Sequence, residues 1–98
     1  MTNYLNNGNN LKFRADIAQL YHEFDDGVVL FDPETSNTTL FNSIVLWLIE
    51  NTATNEFEPE SILNKLVSDY QDDSYTQLSQ LLDNTLSTLL KLGFIQRI

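Results

Sequence analysis

The chain has 98 residues, of which 42% are hydrophobic and 11% aromatic, and it carries a formal net charge of −9. This length suits one small domain, and the apolar content is too high for a disordered chain. The sequence has no cysteine, which excludes disulfides, thiolate metal sites and a cysteine nucleophile. Five Lys and Arg stand against fourteen carboxylates, so a nucleic-acid backbone would be repelled.

The first ten residues are mostly asparagine and contain no long apolar run. We therefore expect a flexible N-terminal tail at 1–10, followed by a single domain at 11–98. The longest apolar run, residues 44–49, is far shorter than the roughly 20 residues that cross a bilayer. These features predict a soluble, cytoplasmic domain that does not enter a membrane.

Three strand-like segments follow the tail. Residues 17–24 are compatible with a strand, 25–27 signal a turn, and 28–31 are β-branched or aromatic, so this part predicts a hairpin. A second turn follows, in which Asn37 is expected to tolerate the left-handed conformation, and a short third strand spans 38–41. The pattern predicts an antiparallel meander that needs helices to cover one face.

Three helices are predicted after the strands. Asn42 is a good N-cap for an apolar helix over 43–50, which should lie in the middle of the core. Pro59 starts a second helix, and Ser74 opens a capping box for a third that continues to about residue 92. The expected fold is α+β and winged-helix-like: a three-stranded antiparallel meander followed by three helices.

The leucines of the third helix cover an arc of roughly 180°, which is wider than the roughly 100° that an ordinary surface helix buries. Either the short chain wraps this helix more fully than usual, or one edge of the arc lines a groove. The groove would have Leu81 on one side, or Leu86 and Leu90 on the other.

No pattern of catalytic or metal-binding residues is found. The only histidine, His22, lies in a predicted strand, and the acidic pairs at 25–26 and 72–73 flank turns, where Asp is favoured for local hydrogen bonding. There is no glycine-rich phosphate loop and no calcium-loop spacing. We expect no enzymatic activity, no cofactor and no metal.

A winged-helix-like arrangement has two common uses. A DNA-reading member carries Arg, Lys, Asn or Gln on the exposed face of its last helix, but here that face has Lys91 as its single cation. The other use is capture of an extended peptide at a sheet edge, for which the third strand is the candidate. A winged-helix regulator that acts through protein or DNA contacts remains the alternative.

The order of several segments resembles a known family. These are FDPETSNTTLFN at 31–42, the apolar helix, the Pro-Glu helix start and Leu-Leu-Lys-Leu-Gly-Phe-Ile at 89–95. Over about residues 18–98 the chain is similar to the PqqD family, in particular to the PqqD-like peptide chaperones named for their HPr-related gene neighbourhood. Ser36 and Asn37 stand where that family often has Gly, and Thr39 where relatives often have His.

The resemblance implies a non-enzymatic domain that binds the leader segment of a ribosomally made precursor peptide and presents it to a modifying enzyme. In such domains the leader pairs antiparallel with the third strand and packs between that strand and the third helix. The oligomeric state expected here is a monomer or weak homodimer, since a strand edge also allows self-pairing. The implied peptide-binding residues are Thr38, Thr39, Leu40 and Phe41 of the strand and Leu78, Leu81, Leu82, Thr85 and Leu86 of the helix.

Overall fold

A computed structural model describes residues 10–53 and 55–98. The expected meander and the three helices after it are confirmed. The expected tail lies outside the described residues except for Asn10. The elements in chain order are β1 (Leu11–Phe13), a 3-10 helix (Ile17–Gln19), β2 (Tyr21–Phe24), β3 (Gly27–Asp32), β4 (Asn37–Asn42), α1 (Ser43–Thr52), α2 (Pro59–Asp69), α3 (Tyr75–Leu92) and β5 (Ile95–Arg97).

The three-stranded sheet has the order β2-β3-β4, and both pairings are antiparallel. Its two faces differ in burial because side chains alternate across a strand. Val28 and Leu30 point inward and are fully buried, whereas Phe24 and Leu40 are exposed on the outer face. The sheet therefore covers the helical layer with one face and leaves the other open.

A second, two-stranded sheet was not predicted from the sequence. β1 pairs antiparallel with β5, with Leu11 opposite Arg97 and Phe13 opposite Ile95. Leu11 and Phe13 are both buried. Three-residue strands carry too little periodicity to be recognised, so the pairing becomes visible only when the fold brings both ends of the domain together.

The segment that was expected to form one strand over 17–24 is divided. Residues Ile17–Gln19 form a 3-10 turn in which Leu20 N–H donates to Ile17 C=O at 3.0 Å, and β2 begins only at Tyr21. The turn buries Ile17. The expectation was wrong here because backbone bonds from Ile17 N–H to Arg14 C=O at 3.0 Å and from Gln19 N–H to Asp16 C=O at 2.9 Å close a tight turn. Leu20 C=O still accepts Phe31 N–H at 2.8 Å.

The turn between β3 and β4 also differs in one position. Ser36, not Asn37, adopts positive φ, at 62°. Ser36 N–H donates to Asp32 C=O at 2.7 Å, and Glu34 N–H donates to the Asp32 carboxylate at 2.9 Å. These bonds close the turn one residue earlier than expected, so Asn37 is already the first residue of β4.

The predicted capping residues of α1 and α3 agree with the structure, and α1 extends two residues beyond its predicted end. Asn42 caps α1 by accepting Ile44 N–H at 3.1 Å, and Ser74 caps α3 by accepting Gln77 N–H at 3.1 Å. Gly93 has φ of 84° after α3, the left-handed conformation that glycine adopts at low cost. No helix within 10–53 and 55–98 is long and apolar enough to cross a membrane.

The core lies between the inner face of the sheet and the three helices. α1 contributes Val45 and Leu48, both fully buried, but Trp47 is only half-buried, so α1 is not enclosed on all sides as expected. α3 supplies a continuous buried stripe to the same core. Its members are Leu78, Leu82, Thr85, Leu86 and Leu89.

Candidate functional site

β4 is the terminal strand of the sheet, and its open side is the feature most relevant to binding. The hydrogen-bond pattern shows which backbone groups face that side. Phe31 N–H donates to Leu20 C=O, so Phe31 directs its backbone groups toward β2. Successive residues of a strand direct these groups to opposite sides, so Leu30 directs its groups toward β4.

The same alternation fixes the orientation of β4. Leu30 lies opposite Thr39, and Val28 lies opposite Phe41. Thr39 and Phe41 therefore bond to β3, which leaves the N–H and C=O groups of Thr38 and Leu40 directed to the open side. Among the described residues no further strand pairs there. β4 thus presents a short row of unpaired backbone donors and acceptors.

A cavity of about 210 Å³ lies at the C-terminal end of β4. It is formed where the start of α1 meets α2 and the first half of α3. Its wall is largely apolar, with Asp73 contributing a carboxylate. The lining residues are Asn42, Ser43, Ile44, Leu66, Tyr70, Asp73, Leu78 and Leu81.

A second cavity of about 180 Å³ lies at the N-terminal end of β4. It is formed by the β3–β4 turn, by Asn37 and Thr39 of β4 and by the end of α3. Lys91 contributes the only ammonium group in its wall. We call the first cavity the Asp73 cavity and the second the Lys91 cavity. The two lie at opposite ends of the same strand edge.

The Trp47 ring is hydrogen-bonded close to the Asp73 cavity. Trp47 Nε1–H donates to the Asp69 carboxylate at 2.8 Å, and its ring contacts the Tyr70 ring edge-on with centroids 6.5 Å apart. Tyr70 is 37% exposed and lines the cavity. These contacts hold the Tyr70 ring against α1.

The four strand residues implied by the family resemblance lie together on β4. Thr38 and Leu40 are exposed, Leu40 at 72%, and point to the outer face. Thr39 and Phe41 are half-buried on the inner face, and Thr39 lines the Lys91 cavity. Each of the two inner residues is thus placed beside the helical layer.

The five helix residues implied by the resemblance do not form one exposed wall. Leu82 and Leu86 have no exposed surface, and Thr85 is buried with its hydroxyl donating to Leu81 C=O at 2.7 Å. The expectation was wrong for these three residues, because α2 and β5 pack against α3 and Leu82 and Leu86 belong to the hydrophobic core, so the short chain wraps α3. Leu78 and Leu81 do line the Asp73 cavity, and Leu81 is 37% exposed.

Several residues of the two cavities were not predicted from the sequence. Tyr70 and Leu66 belong to the apolar stripe of α2, so their pattern indicated core only. Asp73 had the pattern of a turn residue, and Lys91 that of a helix C-terminus. No sequence signal distinguishes such roles, because it is the meeting of three elements that creates each cavity.

The outer face of the sheet carries a third, shallow and larger concavity of about 800 Å³. Phe24, Val29 and Leu40 line it, and the carboxylates at the β2–β3 turn lie on its rim. Gly27 is required beside it, since a Cβ at this position would collide with the Phe41 carbonyl oxygen. A strand added to β4 would extend this face.

No group of three or more His, Asp or Glu side chains within residues 10–53 and 55–98 is arranged to hold a metal ion. His22 is exposed and packs edge-on against Phe24, with ring centroids 4.8 Å apart. Its neighbours on the sheet are therefore aromatic and apolar.

Comparison of this chain with known proteins identifies no relative. Neither models of known protein families, nor characterised proteins, nor solved structures give a match to this chain.

Proposed function

We propose that this domain is a non-enzymatic recognition element that binds an extended peptide by strand addition at β4. The expected ligand is the leader segment of a ribosomally made precursor peptide, which the domain presents to a modifying enzyme in the cytoplasm. The family resemblance supports this assignment, and the geometry of β4 supplies a physical means of binding.

The observation that carries the proposal is the open edge at Thr38 and Leu40, placed between two cavities. Unpaired N–H and C=O groups on an edge strand bind any extended backbone, because the ladder bonds do not depend on sequence. Specificity then has to come from side-chain pockets beside the edge. We expect alternate side chains of an added strand to point toward the Asp73 and Lys91 cavities, which lie at the two ends of this edge.

The apolar lining of the Asp73 cavity addresses the energetic requirement. Micromolar affinity corresponds to about −8 kcal/mol, and ordering a flexible peptide costs roughly 2 to 5 kcal/mol in addition. Backbone bonds contribute only about 1 kcal/mol each after exchange with water. Burial of one large apolar side chain against Leu66, Leu78 and Leu81 would contribute about 1.5 to 3 kcal/mol more.

Charge argues against the alternative of a DNA-binding winged helix. Specific DNA binding depends on neutralising several phosphates, and the chain has five Lys and Arg against fourteen carboxylates. α3 carries one of those cations, Lys91, in its last turn. A regulator that acts through protein contacts would use the same strand edge, and the experiment below separates it from peptide presentation.

The test is an NMR titration of isotope-labelled protein with a synthetic leader segment from a short precursor encoded beside the gene. Strand addition predicts the largest amide shifts at Thr38 and Leu40, with further shifts at Leu81. A scrambled peptide of the same composition is the control. If shifts appear only when duplex DNA is added, or if β4 does not respond to the leader, peptide recognition is excluded.

A further inference from the structure

We propose that the β4 edge selects peptides of one charge polarity and one spacing. The preferred segment has a basic side chain, an apolar side chain two residues later, and a carboxylate four residues after the apolar one. This inference rests on the proposed strand addition and specifies the class of peptide that the edge accepts.

The polarity follows from the unlike charges at the two ends of β4. The Asp73 cavity adjoins Asn42, where β4 ends, and the Lys91 cavity adjoins Asn37, where it begins. Asp32 also lines the Lys91 cavity, but its carboxylate already binds Arg14 at 3.3 Å. Neither Asp73 nor Lys91 forms an ion pair within the described ranges. An antiparallel peptide therefore begins beside a carboxylate and ends beside an ammonium group.

The spacing follows from the alternation of side chains. Phe41, Thr39 and Asn37 point to the inner face, and peptide residues directly opposite them point the same way. These peptide positions are i, i+2 and i+4, with i opposite Phe41. Position i lies opposite Phe41, the neighbour of Asn42 in the wall of the Asp73 cavity, and positions i+2 and i+4 lie opposite Thr39 and Asn37, which both line the Lys91 cavity. Position i+4 is the farther of these two from Asp73, so a carboxylate is least repelled there.

The basic residue of the preferred peptide precedes the residues that pair with β4. Residue i−2 of the peptide would lie opposite Ser43, which lines the Asp73 cavity. A Lys or Arg there comes within reach of Asp73, while the apolar side chain at i enters the cavity among Leu66, Leu78 and Leu81. Residues at odd offsets point to the outer face, away from both charges.

Two seven-residue peptides of identical composition test this pattern. The first is Arg-Thr-Leu-Thr-Val-Thr-Glu, and the second is Glu-Thr-Leu-Thr-Val-Thr-Arg, both with blocked ends. Because both are neutral overall, the net charge of −9 does not favour either one. We expect the first to bind about fivefold to tenfold more tightly by NMR titration, with the preference shrinking at high salt.

A charge-exchanged protein supplies the reciprocal test. The double variant Asp73→Lys with Lys91→Glu should reverse the preference between the two peptides. The matched control is Asp72→Lys with Lys65→Glu, which exchanges the same charges at exposed positions outside both cavities. The control should keep the original preference.

The outcomes distinguish this inference from the function on which it rests. Equal binding of both peptides, with shifts at Thr38 and Leu40, would overturn the charge pattern and leave strand addition standing. No shift at β4 with either peptide at about 1 mM would overturn strand addition itself. A preference that the control variant also reverses would show that general surface charge, and not the two cavities, selects the peptide.

Discussion

Arg14 and Asp32 join the segment after β1 to the turn before β4, with Arg14 Nη1–H donating to Asp32 Oδ1 at 3.3 Å. The same guanidinium binds both carboxylate oxygens of Asp16, at 3.1 and 3.2 Å, and its Nη2 lies 4.0 Å from Glu34 Oε1. Arg14 N–H also donates to Phe94 C=O at 3.0 Å. Arg14 thus links the small sheet, which its backbone N–H contacts, to the loop that positions the N-terminal end of the strand edge, which its side chain contacts.

This pairing predicts a pH-dependent contribution to stability. The pKa of Asp32 lies below its ordinary value, chiefly because its carboxylate accepts Glu34 N–H and also because Arg14 is close, while burial acts in the opposite direction. A lowered folded-state pKa gives stability that is present above the unfolded-state pKa of about 3.9 and is lost as pH falls through the folded-state value.

Asp32→Asn should therefore lower the urea midpoint at pH 7, because the amide keeps an acceptor for Glu34 N–H but loses the charge that Arg14 binds. The difference from the unmodified protein should begin to shrink as the pH falls below the unfolded-state pKa of about 3.9, and it should be lost only below the lower folded-state pKa of Asp32. Asp26→Asn, at an exposed turn position, is the control and should leave the midpoint unchanged across this pH range. A difference that does not shrink at all as the pH is lowered below the unfolded-state pKa would contradict the assignment.

Two neighbouring leucines of α3 should respond differently to truncation. Leu82 is fully buried, so Leu82→Ala should lower the free energy of unfolding by about 2 to 5 kcal/mol. Leu81 is 37% exposed and lines the Asp73 cavity, so Leu81→Ala should cost less stability but weaken peptide binding. Urea unfolding and peptide titration of both variants separate the two roles. If Leu81→Ala leaves the affinity unchanged, the cavity does not receive the peptide.

The sequence allowed prediction of the elements whose signals are local. Asn42 and Ser74 cap helices through their own side chains, and the turn at Asp25 and Asp26, before β3, has a recognisable composition. The pairing of β1 with β5 depends on residues more than 80 positions apart, such as Leu11 and Arg97, and no local pattern encodes it.

Part of the candidate site could also be predicted from the sequence, and part could not. The strand edge at 38–41 was predicted because a meander must end in an edge strand. The prediction that α3 contributes an exposed wall was wrong at Leu82, Thr85 and Leu86. Helical periodicity shows which residues form the apolar arc, but it does not show how much of that arc the neighbouring elements cover. Asp73 and Lys91 could not be selected from the sequence, because what distinguishes them is their position beside opposite ends of β4.

Trp47 should report occupation of the Asp73 cavity without any added label. It is the single tryptophan of the chain, and its ring contacts Tyr70, which lines that cavity. An apolar peptide side chain that enters the cavity should move Tyr70 and change the Trp47 emission in a saturable manner. Tyr70→Leu keeps an apolar wall but removes the ring contact, so it should reduce the response more than the affinity. Unchanged emission at saturating peptide, with binding seen by NMR, would place the peptide elsewhere.

Proline substitutions at two adjacent positions test the orientation of β4 directly. The N–H of Thr38 faces the open edge, whereas that of Thr39 bonds to β3 opposite Leu30. Proline is tolerated where the lost donor faces solvent and is disruptive where it removes a ladder bond. Thr38→Pro should therefore keep the fold, as judged by circular dichroism, and weaken peptide binding by at least about fivefold, since one backbone bond contributes about 1 kcal/mol.

Thr39→Pro should instead lower the unfolding free energy by about 1 kcal/mol or more, because it breaks a bond within the sheet. Thr38→Ala retains the N–H group and controls for loss of the threonine side chain, so its affinity should stay close to that of the unmodified protein. Full affinity in a folded Thr38→Pro variant would mean that the peptide does not pair with this edge. A stable, binding-deficient Thr39→Pro variant would mean that β4 has the opposite orientation, with Thr39 as the edge donor and Thr38 bonded to β3.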